Sequence, residues 1–223
     1  ANFKLKNYEG SRALFETYLK STKQNASYKR DALLRLGDSH FALGKYWPAM
    51  ESYEGAIQMD VSRGMYALYQ KALSYGFVER NPKKIEALNQ LISDYPKTSL
   101  LDDSYFELAL AYTRENNTSK AVETYEILAN NFSKSPYRSR ALLNKGLILY
   151  NAESLEEAMR VLQQLVQEYP NEEVAQQGLK TAKEISIDLA AVDVFASWVK
   201  QLKGVTLQDN ELERASFTAA DKN

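Results

Sequence analysis

Leu36-Gly37-Asp38-Ser39-His40, Lys71-Ala72-Leu73-Ser74-Tyr75, Leu108-Ala109-Leu110-Ala111-Tyr112 and Lys145-Gly146-Leu147-Ile148-Leu149 are four versions of one stretch. A small residue recurs at 37, 72, 109 and 146, with spacings of 35, 37 and 37 residues. Twelve residues beyond each small position stands Ala49, Lys84, Ala121 or Ala158, and four further on Tyr53, Leu88, Tyr125 or Leu162. Each unit closes at Asp60-Val61, Tyr95-Pro96, Phe132-Ser133 or Tyr169-Pro170, and proline stops the helix in two of the four. A period of this length marks a supersecondary unit repeated along the chain.

Within a unit, apolar residues fall at three- and four-residue intervals and strand-like alternation is missing, so each unit reads as two helices joined by a short turn. Gly44 ends one first helix, Asn81-Pro82 places a cap residue before an N1 proline, and Ser154-Leu155-Glu156-Glu157 has the form of a capping box. Small residues on the first helix let the two axes approach. Ala49, Tyr53, Ala56 and Ile57, or Ala121, Val122, Tyr125 and Leu128, form the stripe that the second helix buries. One such hairpin cannot cover both its faces, so neighbours must stack. First helices are predicted to begin near 30, 65, 102 and 139, after a lone second helix at about 9–20.

These residues resemble the tetratricopeptide repeat, whose signature is W-x2-L-G-x2-Y, then A-x3-F, then P. Leu36-Gly37, His40, Ala49 and Tyr53 match it, with Leu33 in the tryptophan position, whereas Lys71, Lys84 and Lys145 depart from it. The resemblance implies an all-α fold, a right-handed superhelical solenoid of antiparallel helix pairs. The expected organisation is a single array: a partial repeat over 1–29, full repeats over 30–64, 65–101, 102–138 and 139–171, an irregular helix pair over 172–201, and a further repeat or tail from 202 to 223. Both ends lack the polar capping repeats that finish a solenoid, which predicts a piece of a longer array with adhesive terminal faces at Phe3, Phe15 and Tyr18. Tyr95-Pro96-Lys97-Thr98-Ser99-Leu100 and Phe132-Ser133-Lys134-Ser135-Pro136-Tyr137 open successive units in the same way. That opening is similar to the repeats of the bacterial outer-membrane assembly lipoprotein and the coordinator of the Tol-Pal system, and Gly178 through Lys200 looks like long repeat proteins of Bacteroidetes. The resemblance implies a periplasmic or cell-envelope setting.

Composition removes several classes of function. Lys+Arg is 28 against Asp+Glu 29, a net charge of -1, so the bulk attraction to a phosphate backbone is missing and nucleic acid is not an expected partner. With no cysteine there is neither thiolate nucleophile nor cysteine metal site. No apolar run is long enough for a spanning helix, so direct membrane insertion is not expected. His40 is the only histidine and occupies a position held elsewhere by Tyr75, Tyr112 or Leu149, which makes it a packing residue. Asp102-Asp103, Glu156-Glu157 and Glu172-Glu173 lie at helix starts, where the helix dipole favours negative charge. No catalytic, metal or cofactor residue is assigned, and an enzyme is not expected.

The resemblance further implies that first helices line a concave face. The positions that face it in the first two units include Leu34, Asp38 and Phe41, then Tyr66, Tyr69, Leu73 and Phe77. In the next two they include Phe106, Leu110 and Arg114, then Arg140, Leu143, Leu147 and Tyr150. An apolar stripe rimmed by Asp38, Arg114 and Arg140 would suit an amphipathic helix or an extended apolar segment. The alternative is that curvature buries these residues against adjacent first helices. The expected function is a scaffold that holds a partner protein or peptide in this groove. The second reading is an architectural spacer or self-association arm, homo-associating through its terminal repeats, with the groove filled by its own chain or another copy.

Overall fold

The structure is a computed structural model and describes residues 7–21 and 25–202. Among these residues there are eleven α-helices, one short 3-10 turn at Val61–Arg63, and no strand. Phe3 lies outside the described residues, as does the tail from 203. The chain divides into two compact units, residues 1–117 and 118–223.

The first unit contains α1 (Tyr8–Lys20), α2 (Ala26–Ala42), α3 (Tyr46–Met59), α4 (Met65–Phe77), α5 (Asn81–Asp94) and α6 (Leu101–Arg114). Each helix packs on the next in sequence order, and α4 also meets α6, so antiparallel hairpins stack through their first helices. The second unit contains α7 (Thr118–Asn131), α8 (Arg138–Asn151), α9 (Leu155–Glu168), α10 (Glu173–Asp188) and α11 (Val192–Val199), with the same neighbour packing and an α8–α10 contact.

Local chemistry sets the boundaries. Asn7 accepts a hydrogen bond from Gly10 N at 3.0 Å and caps α1. Asn25 accepts from Ser27 N at 2.9 Å, which starts α2 several residues before the expected 30. Ser154 stands at the N-cap of α9, but its side chain makes no capping bond. At α5 the cap position belongs to Arg80, one residue earlier than expected, so Asn81 is already inside the helix.

First helices all end alike. A left-handed residue follows at Gly44, Glu79, Asn116, Glu153 and Ala190, with φ of 70°, 57°, 55°, 57° and 51°. The next N–H then reaches back to a carbonyl five residues earlier, as in Lys45 N to His40 O at 2.8 Å and Ser154 N to Leu149 O at 2.9 Å. Four of the five left-handed residues are not glycine, so strain is accepted there to turn the chain at a fixed point. The position at 190 continues the 37-residue spacing from 153, and α10 and α11 form a fifth pair in register. Phe195 and Val199, 37 residues beyond Ala158 and Leu162, are both buried.

The repeat positions form the core. Ala72 and Ala109 are fully buried, as are Ala49, Ala121 and Ala158, and Tyr53, Leu88, Tyr125 and Leu162 pack against them with almost no exposure. In the first unit Leu34, Ala49, Tyr53, Ala56 and Ala67 make one cluster; in the second, Leu142, Leu162, Leu165, Ile185 and Phe195 belong to a larger one. Burying a side chain of this size contributes about 1.5–3 kcal/mol. His40 is buried between α2 and α1, with Nε2 3.9 Å from Glu16 and Nδ1 unpartnered, and burial lowers its pKa.

Candidate binding groove

An open groove of about 910 Å³ lies within the first unit. Its walls come from the C-terminal ends of first helices: Phe41 on α2, Leu73, Gly76 and Phe77 on α4, and Leu110 and Arg114 on α6. Glu79 in the turn after α4, Asn81 and Lys84 on α5, and Glu107 on α6 complete it. A left-handed residue closes each of these first helices, at Gly44, Glu79 and Asn116.

Three rings make one rim. Tyr46 stacks on Phe77 at 4.6 Å with planes 6° apart, and Phe41 meets both edge-on, at 5.5 Å and 5.4 Å. Such pairs are worth about 0.5–1.5 kcal/mol beyond the area they bury. They hold Phe77 in place although it is 58% exposed.

The floor is an ion pair. Lys84 occupies the repeat position filled elsewhere by Ala49, Ala121 and Ala158, and its side chain is only 4% exposed. Its stem crosses Gly76, where an added Cβ would lie 3.1 Å from Lys84 Cδ. Nζ donates to Glu107 on α6, so a second helix is tied to the following first helix. Two other lysines that depart from the repeat pattern bind in comparable ways. Lys71 bonds Glu54 at 2.6 Å, and Lys145 sits 3.4 Å from Glu126 and 3.7 Å from Glu157.

The structure gathers five of the expected groove residues, Phe41, Leu73, Phe77, Leu110 and Arg114, around this space. Tyr66 and Tyr69 are half-buried and do not line it. Leu34, Phe106 and Leu143 are buried core residues instead. Arg140, Leu143, Leu147 and Tyr150 belong to the second unit, where Leu147 and Tyr150 pack on the core, Tyr150 bonds Asp188 at 3.1 Å, and Arg140 is exposed.

Asp38 is a correction of a different kind. Expected on the rim, it is buried and accepts hydrogen bonds from Tyr53 at 3.0 Å, Tyr66 at 2.8 Å and Arg35 at 3.0 Å. A buried carboxylate needs such donors, and two tyrosines of neighbouring helices supply them. Burial first, and the Asp38 charge second, push the pKa of both tyrosine hydroxyls up, so they remain donors.

The sequence reading missed Lys84, Glu107, Asn81 and Glu79 as groove residues. The available signal was Lys84 itself, a charge at a position otherwise reserved for alanine. Among the described residues no group of three or more His, Asp or Glu could hold a metal ion, and no helix is long and apolar enough to cross a membrane. The groove offers contact and hydrogen bonding.

Three family models, each described as tetratricopeptide repeat, match residues 31–60, 66–98 and 103–173. No curated protein matches the chain significantly. Among solved structures, MamA superposes with a TM-score of 0.63 at 22% identity, over 74% of this chain and 90% of that one. MamA from Desulfovibrio magneticus RS-1 gives 0.61 at 14% identity, over 84% and 96%. YrrB, described as a TPR protein with an unusual peptide-binding site, gives 0.62 at 12% identity, over 93% and 96%. At these identities the likeness speaks for the fold alone.

Proposed function

Since the chain belongs to the tetratricopeptide repeat family, we propose that it is a protein-binding scaffold whose first unit holds a partner polypeptide in the groove between Phe41, Phe77 and Leu110. The observation that carries this reading is Phe77, a large apolar side chain left 58% exposed yet fixed by two aromatic neighbours at the mouth of an apolar groove. A rigid exposed aromatic costs a partner little ordering entropy. Repeat proteins of this kind are generally non-enzymatic scaffolds, and we read this chain as one. The setting we propose is the periplasm or cell envelope of a bacterium, on the strength of the Tyr95-Pro96 and Phe132-Ser133 repeat openings.

The test is affinity capture from a native lysate with the full chain and with a Phe77→Ala, Leu110→Ser variant. The variant should lose the captured polypeptides while its melting temperature falls by no more than about 10 °C and the transition stays cooperative. Retained capture, or a collapsed melting transition, would show that the two residues are packing and nothing more.

One observation favours the second reading, self-association. Leu14 is 61% exposed on α1, with Tyr18 exposed four residues further on the same helix. Sedimentation of the wild-type chain at increasing concentration should then show a dimer that Leu14→Glu abolishes; a strict monomer at every concentration removes the reading.

A further inference from the structure

His40 is the only histidine of the chain, and it is buried where α2 meets α1. The matching positions of later repeats hold Tyr75, Tyr112 and Leu149. Those residue types keep their charge between pH 5 and 8, whereas histidine changes its own. The surroundings suit only the neutral ring. Nδ1 is buried without a hydrogen-bond partner, and Nε2 stands 3.9 Å from Glu16 Oε1, which already accepts Arg12 at 2.7 Å. Arg12 also holds Glu9 at 2.6 Å, and Lys45, at the cap of α3, lies 3.9 Å from the same Glu9. Two carboxylates and two cations therefore face the ring, and their charges balance. An imidazolium would carry an N–H at both nitrogens, one of them buried with no acceptor. Burial is the largest influence on the ring and holds its pKa below the ordinary value, while Glu16 pulls the other way.

The element that can give way is α1. Ser11 is its one buried residue, held by a 3.1 Å hydrogen bond from Ser39 of α2, and Leu14 is 61% exposed. A helix with so little buried surface opens at a small fraction of the cost of unfolding the whole domain. We propose that His40 is an acid-sensitive latch: protonation of its ring releases α1 from α2 while the later hairpins stay folded. In the open form the ring is in water and binds a proton more readily than in the closed one. The stability that the neutral ring lends to the α1–α2 contact is thus complete above about pH 6.5 and is lost as the pH falls below it. A partner held through α1 would be let go in mildly acidic surroundings, whatever the groove holds.

The test is hydrogen exchange of the intact chain, resolved helix by helix and corrected for intrinsic rates. Protection of α1 should fall about three- to tenfold between about pH 7.5 and about pH 5, a window in which carboxylates ordinarily stay charged and no second histidine titrates. Protection of α4 and α5 should hold. Two variants remove the titration: His40→Tyr, which supplies the residue of the matching positions 75 and 112, and His40→Gln, which keeps a polar side chain. Both should abolish the pH dependence of α1. The NMR titration of the imidazole, unambiguous in a chain with one histidine, should have its midpoint below about 6.5. A midpoint at or above that value overturns the proposal, as does flat protection in the wild type. So does a fall that persists in both variants, or one spread evenly over the first unit. Should His40→Tyr loosen α1 at both pH values, the glutamine variant and the midpoint decide.

Discussion

Asp38→Ala should destabilise the first unit by about 3–5 kcal/mol, since hydrogen bonds to a charged group are each worth about 1.5–3 kcal/mol and the buried Tyr53 and half-buried Tyr66 hydroxyls lose their acceptor together. Tyr53 is completely buried, and its hydroxyl sits 3.0 Å from one Asp38 oxygen that also receives Tyr66 at 2.8 Å. Tyr53 cannot reach solvent without moving its ring out of contact, whereas Tyr66 is half-buried. Arg35, by contrast, is about half exposed and loses less when the carboxylate goes. Asp38→Asn keeps an acceptor and should cost only about 1–2 kcal/mol, which separates the lost hydrogen bonds from any change of volume. Hydrogen exchange resolves the effect in place: amides of α2, α3 and α4 should lose protection in Asp38→Ala. Unchanged protection there would mean that the carboxylate contributes nothing to the packing of these helices.

Gly146→Leu should cost the second unit about 1–3 kcal/mol. A Cβ at this position would lie 2.5 Å from Leu162 Cδ2 and 2.7 Å from its Cγ, closer than real Cβ contacts come. Leu162 is fully buried in a cluster with Leu165 and Ile185 and has nowhere to retreat, so α8 and α9 must separate. Overpacking of this kind costs about 1–3 kcal/mol and sometimes more, offset by up to about 1 kcal/mol from the better helix propensity of leucine. Trp198 packs on the same cluster, 5.7 Å from Phe195, and in a Trp47→Phe background its fluorescence reports denaturant unfolding of this unit. An unchanged unfolding midpoint would mean that α8 and α9 do not approach closely at Gly146.

Both sites show what the sequence could and could not convey. Gly146, Ala109, Ala72 and Gly37 were legible as helix crossings because a backbone approach forces small residues and the chain repeats that requirement at a fixed interval. The same interval made Ala49, Tyr53, Tyr125 and Leu162 legible as core. Asp38 was misread because its side chain points according to partners from other helices, Tyr53 and Tyr66, that no local pattern ties to it. Leu34 and Phe106 show a related limit: periodicity puts them on the inner face of the first helices, but how deep that face is covered depends on the spacing of the hairpins. Asn81 was read as a cap from the Asn-Pro pair alone, whereas the helix begins one residue sooner and leaves its carboxamide oxygen unpartnered. Lys84 was visible only as a departure from the pattern, since its meaning lies in Glu107, 23 residues away.

The lysine pairs also bear on how such a chain can change over evolutionary time. Arrays of this kind grow and shrink by duplication, deletion and exchange of whole repeats, and a uniform array tolerates any such shuffle. Here the residues at the place of Glu107 in the other full repeats are Arg35, Gln70 and Asn144. Moving the hairpin that carries Lys84 in front of any of them would set a covered ammonium against an amide or a second cation. An exchange of repeats at this junction would therefore leave the Lys84 ammonium without its carboxylate.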